Sequence, residues 1–504
     1  MADRLNVPPA GTAPDTPTPD SHGTSTIRGG TSPHSDSHGI SRRGFLSSSA
    51  LTAGAAGAAG LLAGCASESS GPQAKGTGDA PKEVFTSPAK KLSGSLSILM
   101  WSHFVPRHDK WFDKFVADWG KKVGVDVRVD HINTVDVPRR AASEIQAGRG
   151  HDLIQHIAPF SQYEPSVLDM TDVVQEANRR WGQQLELCRR SSFNPNTKRF
   201  YCYCPGWSPD PGDFRKSMWS KVGMPNGPAS WEDLLRGAAE IKRRTGVPCG
   251  IGLSPESDSN MAARALLWSY GGAVQDENEK VVLNSDATVA AVEYMTRLFK
   301  EAETSEVFSW VPASNNQALI AGKSSYILNS ISAWRTAMGA NRAIGDDIFF
   351  VPALRGPKAS LAAQHVIQQW IVPKHAGNPD AAKEFLLHYT ANFPAVTYNS
   401  ELYDLPGWPS LVPQLDGWLD HDPWGAKPAN KLSLLKTATS WTANIGYPGP
   451  SNPAIGEIFN TNVLPTMFGR AARGQASPKQ AVAEAAGRAD AIFKNWRGRG
   501  LVGG

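Results

Sequence analysis

Beyond residue 64 the chain has no run of 18 apolar residues, so nothing there reads as a membrane-spanning helix. An excess of one charge is also missing, with 51 Lys and Arg against 47 Asp and Glu. No basic block interleaved with aromatics is present, which argues against a nucleic-acid partner. Cysteine is scarce, at five residues, and no pair has the Cys-x2-Cys spacing of a zinc site. Cys202 and Cys204 sit two apart on one face of a strand-like run, so they do not readily pair with each other. Cys188, Cys202, Cys204 and Cys249 are therefore read as one or two structural disulfides or as buried thiols. Catalytic signatures are missing as well. There is no His-Glu-x-x-His and no Gly-rich phosphate loop. Gly252-Leu-Ser254-Pro-Glu256 departs from Gly-x-Ser-x-Gly at its last position. His151, Asp152 and His156 fall in a strand-like run whose alternation points residues 151 and 156 apart. Neither a metal site nor a cofactor is expected.

What is present begins at the N-terminus. Residues 1–40 are rich in Ser, Thr, Pro, Gly and His, a composition too poor in apolar groups to offset chain entropy. Ser41-Arg42-Arg43-Gly44-Phe45-Leu46 then leads into a weakly apolar Ala/Gly/Leu/Ser run ending Leu61-Leu62-Ala63-Gly64-Cys65. A charged n-region, an apolar stretch and small residues before a cut describe a secretory signal. The paired Arg42 and Arg43 resemble a twin-arginine export signal, and Leu-Leu-Ala-Gly-Cys resembles the lipobox of bacterial lipoproteins. That resemblance implies cleavage before Cys65 and acylation (palmitate) of its thiol, and two acyl chains anchor stably. Residues 1–64 are thus expected as signal. Residues 65–93, rich in Ser, Gly, Pro, Lys and Ala, are expected as a flexible tether. Ordered sequence should begin near Leu96.

About 410 residues follow, more than one hydrophobic core usually serves, so two lobes are expected. Leu96 to Trp101 reads as a buried strand. Pro106 and Asp109 open a helix carrying Trp111, Phe112, Phe115, Val116 and Trp119 at helical spacing, closed by Gly120 and Gly124. Val125, Val127 and Val129 alternate as a second strand, a helix follows from Arg139 to Ala147, and His151 to His156 forms a third strand. This alternation predicts an α/β layer with a parallel sheet, whose ligands sit beyond the carboxyl ends of the strands. Arg199 to Pro205 reads as β, and Trp207-Ser-Pro-Asp-Pro-Gly-Asp213 as a turn-rich crossing. Ser230 with Asp233, Asn378-Pro379 and Ser477-Pro478 mark helix starts, and residues 286–302 form one more helix with an apolar face.

Several motifs carry a family. Lys221-Val-Gly-Met-Pro225 with Ser230-Trp231-Glu-Asp-Leu-Leu235 resembles a stretch of the family 1 extracellular solute-binding proteins. So do Ala318 to Asn329, Asn378 to Leu387, Tyr447 to Pro453, Leu464-Pro465, and Ala472 to Ala486. The order of these motifs spans residues 94–495. The resemblance implies a two-lobed, periplasmic-binding-protein-like α/β fold with a ligand cleft between the lobes. On that pattern residues 94–206 and 329–393 form lobe 1, residues 207–328 and 394–499 form lobe 2, and the chain crosses near 206, 328 and 394. It further implies a monomer outside the cytoplasmic membrane, delivering a solute to ABC permease and ATPase subunits.

Family position places Trp101 to Phe104, Trp207 to Asp213, and Asn329 to Trp334 along the cleft. A sugar site wants aromatic faces for C–H surfaces and polar side chains for hydroxyls, which must be paired when buried. Sixteen tryptophans supply many flat faces. Trp101, His103, Trp207, Asp210, Asp258, Asn260, Asn329, Trp334 and Trp370 fit that chemistry. Core packing is the other role open to each Trp, a solvated loop the other setting for His103, and helix capping the other role for Asp258 and Asn260. The expected function is carbohydrate capture for an ABC importer, without catalysis. A secreted carbohydrate-active hydrolase and the ligand-binding module of a sensor are the alternatives.

Overall fold

The computed structural model describes residues 80–157 and 159–504. The expected signal with Arg42, Arg43 and Cys65, and the tether up to residue 79, lie outside the described residues. No helix among the described residues is long and apolar enough to cross a membrane.

The first half builds the expected parallel layer. Ser95–Trp101 lies between Asp126–Ile132 and Leu153–His156 and runs parallel to both. The helices Pro106–Val123 and Val137–Ala147 form the crossovers. On the first helix Phe112, Phe115, Val116 and Trp119 recur at steps of three and four, and all four are buried. Burying each such side chain stabilises the fold by roughly 1.5–3 kcal/mol. Gly124, at φ 77°, caps the helix by donating its N–H to the Gly120 carbonyl. Gly120 admits the returning strand, since a Cβ there would stand 2.6 Å from the Val125 carbonyl oxygen. A fourth strand, Gln369–Ile371, closes the far edge antiparallel to Leu153–His156.

A second apolar core gathers around Trp231–Thr245, Asp286–Ala302, Val463–Ala472 and Pro478–Gly498. The caps fall where the sequence places them. Ser230 Oγ accepts from Asp233 N at 3.1 Å, Asn378 Oδ1 from Ala381 N, and Ser477 Oγ from Gln480 N in a reciprocal capping box. This half has its own sheet, with Gly212–Arg215 antiparallel to both Tyr326–Leu328 and Ile348–Val351.

Residues 329–393, expected as one block of the first lobe, do not behave as one. Ile348–Val351 pairs with Gly212–Arg215, whereas Gln369–Ile371 pairs with Leu153–His156. Val396, Trp408 and Val412 share a core with Ile98, Phe112 and Trp370. Three short strands join the two halves: Gly206–Ser208 is flanked antiparallel by Val366–Ile367 and Leu405–Pro406. Pro205-Gly206 thus lies beside Pro406-Gly407, and Gly407 N donates to Pro205 O at 2.7 Å. A third apolar cluster draws on both halves and on these strands, with Trp101, Ile154, Trp207, Ile327, Trp334, Ile367 and Leu405.

Two local expectations change. Of the run Arg199 to Pro205 only Arg199–Phe200 is strand; Tyr203 then makes an isolated bridge to Trp370. Residues 80–92 of the expected flexible tether are held as an extended strap. Val84 N donates to Asn392 Oδ1 at 2.7 Å, and Asn392 Nδ2 donates back to Val84 O at 2.9 Å. One amide side chain thereby satisfies both backbone groups, as a neighbouring strand would. Thr86 N donates to His388 Nδ1, and Trp111 Nε1 to Glu83 Oε1. The four cysteines Cys188, Cys202, Cys204 and Cys249 are buried free thiols.

Candidate functional site

Trp101 ends its strand, and the following loop turns His103 inward. Val105 N and Val105 O lie 2.9 Å and 3.2 Å from His103 Nδ1. Nε2 donates to Asp404 Oδ2 at 3.0 Å. The imidazole lies 4.7 Å from the Trp101 ring, stacks at 4.4 Å on His108, and meets the edge of Tyr403 at 5.1 Å. Burial raises the Asp404 carboxyl, but the charge and hydrogen bond of His103 outweigh it and leave the group below its ordinary value.

A second buried pair stands on the crossing strands. His365 Nδ1 lies 2.9 Å from Asp210 Oδ1. Burial lowers His365, yet the hydrogen bond and charge of Asp210, with the fields of Asp258 and Glu256, raise it overall. Asp210 is itself raised by burial, against the pull of His365. Asp213 follows on strand Gly212–Arg215, fully buried, and burial backed by the charge of Asp210 holds it well above the carboxylate range. Gly212 keeps the strand close to its neighbour, because a Cβ there would collide with the Tyr326 hydroxyl.

The third component comes from the second half. Asn315 Nδ2 donates to Asp258 Oδ2 at 2.9 Å, and Asn329 Nδ2 reaches the same oxygen at 3.5 Å. Asn329 also bonds to Asn316, which donates to Ser332 Oγ at 3.1 Å. Glu256 caps helix Ser257–Ser269 through the backbone N–H groups of Asp258 and Ser259. Burial and then the neighbouring Asp258 push its carboxyl up to about 8. Tyr403 ties these parts together: behind the larger effect of burial, the charges of Asp404, Asp258 and Asp210 all raise its hydroxyl.

Among the described residues, several buried atoms here have no hydrogen-bond partner. They are Asp210 Oδ2, both carboxylate oxygens of Asp213, Asp404 Oδ1, the Tyr403 hydroxyl, Ser208 Oγ, Ser330 Oγ, and the indole nitrogens of Trp101 and Trp334. A buried polar atom left unpaired costs free energy, and these gather in one part of the structure.

The nine expected site residues divide. Trp101, Trp207 and Trp334 share one apolar cluster. His103, Asp210, Asp258 and Asn329 belong to the polar network beside it. Trp334 is held there between cations, with the Arg335 guanidinium 4.3 Å and the Lys431 ammonium 5.5 Å from its ring. Trp370 instead sits in the first core, among Phe112, Phe385 and Tyr389 at 5.6–6.4 Å. Asn260 braces two helical segments, accepting from Arg264 Nη1 and donating to Asn462 Oδ1, both at 2.8 Å. His151 is engaged by Glu144 and Asp130, and Asp152 by Ser97.

Sequence reasoning did not single out His365, Tyr403, Asp404, Glu256, Asn315 or Asn316. The second Pro-Gly, at Pro406-Gly407, was the available signal for the Tyr403–Asp404 pair, since it repeats Pro205-Gly206 at the first crossing.

Solved structures share this two-lobed α/β fold with a cleft between the lobes. Maltose-bound MalE3 of T. maritima matches with a TM-score of 0.66 at 17% identity, over 79% of this chain and 100% of that one. A sugar transporter from Arthrobacter chlorophenolicus A6 with bound laminaribiose matches at 0.67 and 15% identity, over 79% and 99%. A solute-binding protein of an ABC transporter from Agrobacterium radiobacter K84, in complex with ribitol, matches at 0.64 and 15% identity, over 81% and 100%. No curated protein sequence matches significantly. The family model described as bacterial extracellular solute-binding protein matches residues 106–392, more than half of the chain, and the chain belongs to that family.

Proposed function

We propose that this chain is the carbohydrate-capturing component of an ABC importer, anchored outside the cytoplasmic membrane by acylated Cys65 after twin-arginine export. The observation that carries the reading is the group of unpartnered buried polar atoms beside the Trp101 and Trp334 indoles. Sugar hydroxyls donate and accept, and a ring's C–H face suits an indole. The ligands of the similar structures, maltose, laminaribiose and ribitol, point to the same class. Strands Gly206–Ser208, Val366–Ile367 and Leu405–Pro406 serve as the hinge on which the lobes close. In this reading Trp101, His103, Trp207, Asp210, Asp258, Asn329 and Trp334 contact solute, joined by Asp213, His365, Tyr403 and Asp404.

A thermal-shift screen of the mature chain over mono-, di- and oligosaccharides and polyols tests this, because a ligand that binds only the folded state raises the melting temperature. At least one carbohydrate is expected to do so, and isothermal titration should then give one site per chain. A screen in which no carbohydrate raises the melting temperature overturns the reading. Cys65→Ala should release the protein from membranes or block its processing; unchanged membrane attachment removes the lipid anchor from the proposal.

A further inference from the structure

We infer that the solute carries a protonated amine among its hydroxyls, as an amino sugar does; the inference rests on the carbohydrate reading above. Five acids meet at the site: Asp210, Asp213, Glu256, Asp258 and Asp404. Among the described residues, none of them has a Lys or Arg in hydrogen-bond or ion-pair contact; the basic groups that touch them are the imidazoles of His103 on Asp404 and His365 on Asp210. Asp258 is served by the neutral amides of Asn315 and Asn329, and Glu256 by backbone and hydroxyl donors. Burial with no Lys or Arg beside them raises Asp210, Asp213 and Glu256 above the ordinary carboxylate range, so the site holds more acid than countercharge. Asp213, wholly buried with both oxygens unpartnered, is the most exposed to this imbalance.

A neutral sugar supplies donors to such carboxylates but no countercharge. A phosphorylated or uronic-acid sugar adds negative charge where none is compensated. An ammonium does what the site lacks. Its N–H groups suit the unpartnered oxygens of Asp213 and Asp210. Of the aromatic groups in the adjoining cluster, Trp101 and Tyr403 also attract a cation to their faces. His365 and Asp404 then remain for hydroxyls, so charge and hydroxyl recognition fall on different side chains.

Matched sugars read the inference directly on the mature chain. Glucosamine is titrated against glucose, galactosamine against galactose, and the β-1,4 glucosamine disaccharide against cellobiose. N-acetylglucosamine, glucuronate and glucose 6-phosphate serve as charge controls. In at least one pair the amine is expected to bind about tenfold or more tighter than its neutral partner, a difference of ~1.4 kcal/mol. Acetylation should abolish that advantage, and the anionic sugars should not bind. In Asp213→Asn the amine-to-neutral affinity ratio should fall toward one. If that variant does not fold, the wild-type ratios and the acetylated control decide. Neutral sugars binding as well as or better than their amines in every pair overturns the amine and leaves the carbohydrate reading standing. Failure of every carbohydrate, whatever its charge, overturns both. Binding of glucuronate or glucose 6-phosphate comparable to the amines also overturns the inference.

Discussion

Trp370 and Asp213 are both fully buried, yet their surroundings answer to different demands. Around Trp370 the first core is aromatic and aliphatic: Phe112, Phe385 and Tyr389 surround the indole, and the strand carrying it pairs with Leu153–His156. Around Asp213 the backbone is equally regular, paired on both sides, but the carboxylate has no partner, and the charge of Asp210 adds to the effect of its burial. The first region is built to be stable by itself. On the proposed reading the second gives up stability for readiness to meet a ligand, since folding alone does not favour unmet buried polar groups.

The largest effect should come from breaking the first region. Trp370→Ala is expected to cost about 3–5 kcal/mol of stability, the range for a core aromatic, while solute affinity changes little. Chemical denaturation paired with titration checks both halves, and an affinity loss without a stability loss would move Trp370 into the site. Asp213→Leu should do the opposite. Replacing a buried, unpartnered acid by an apolar side chain removes its desolvation cost, so stability is expected to hold or rise. Solute binding should be lost. A strongly destabilised Asp213→Leu would mean that the carboxylate supports the free fold.

The pH dependence sharpens the contrast further. Glu256 lies in the site and Glu303 in the second half, where it accepts from Ile251 N at 2.7 Å; burial pushes each to about 8. For an acid whose folded pKa is raised, the folded state holds the proton more tightly. Its contribution to stability is complete below the unfolded value near 4.5 and is lost as pH rises through about 8. Unfolding measured from pH 5 to 8.5 should show declining stability, and Glu256→Gln and Glu303→Gln should each flatten the slope. Affinity should respond to Glu256→Gln and not to Glu303→Gln; equal responses would erase the distinction between site and core. The smallest effect belongs to the strap. Asn392→Ala removes both bonds to Val84, at about 0.5–1.5 kcal/mol each, and should speed amide exchange at residues 83–89 while leaving binding intact.

Much of the fold was legible because its periodicity is local. Helical spacing from Trp111 to Trp119 and the alternation from Val125 to Val129 each declare one buried face, and Ser230, Asn378 and Ser477 declare helix starts through a side chain and an N–H two or three residues on. The strap was not legible. Its Ser/Pro/Lys composition is that of a linker, and its partner Asn392 lies 308 positions away.

The site divides along the same physical line. By itself the sequence determined that Trp101 to Phe104 stand at the end of a strand and that Trp207 to Asp213 form a turn-rich segment, because strand ends and Pro-Gly turns are written within a few residues. Only the tertiary structure decided which of these meet. It set His103 against Asp404 across 301 positions and Asp210 against His365 across 155, and it sent Trp370 into a core and Asn260 into a helix brace. Those pairings depend on how three crossing strands align the two halves. That is a long-range packing outcome, and no local pattern of residue types encodes it.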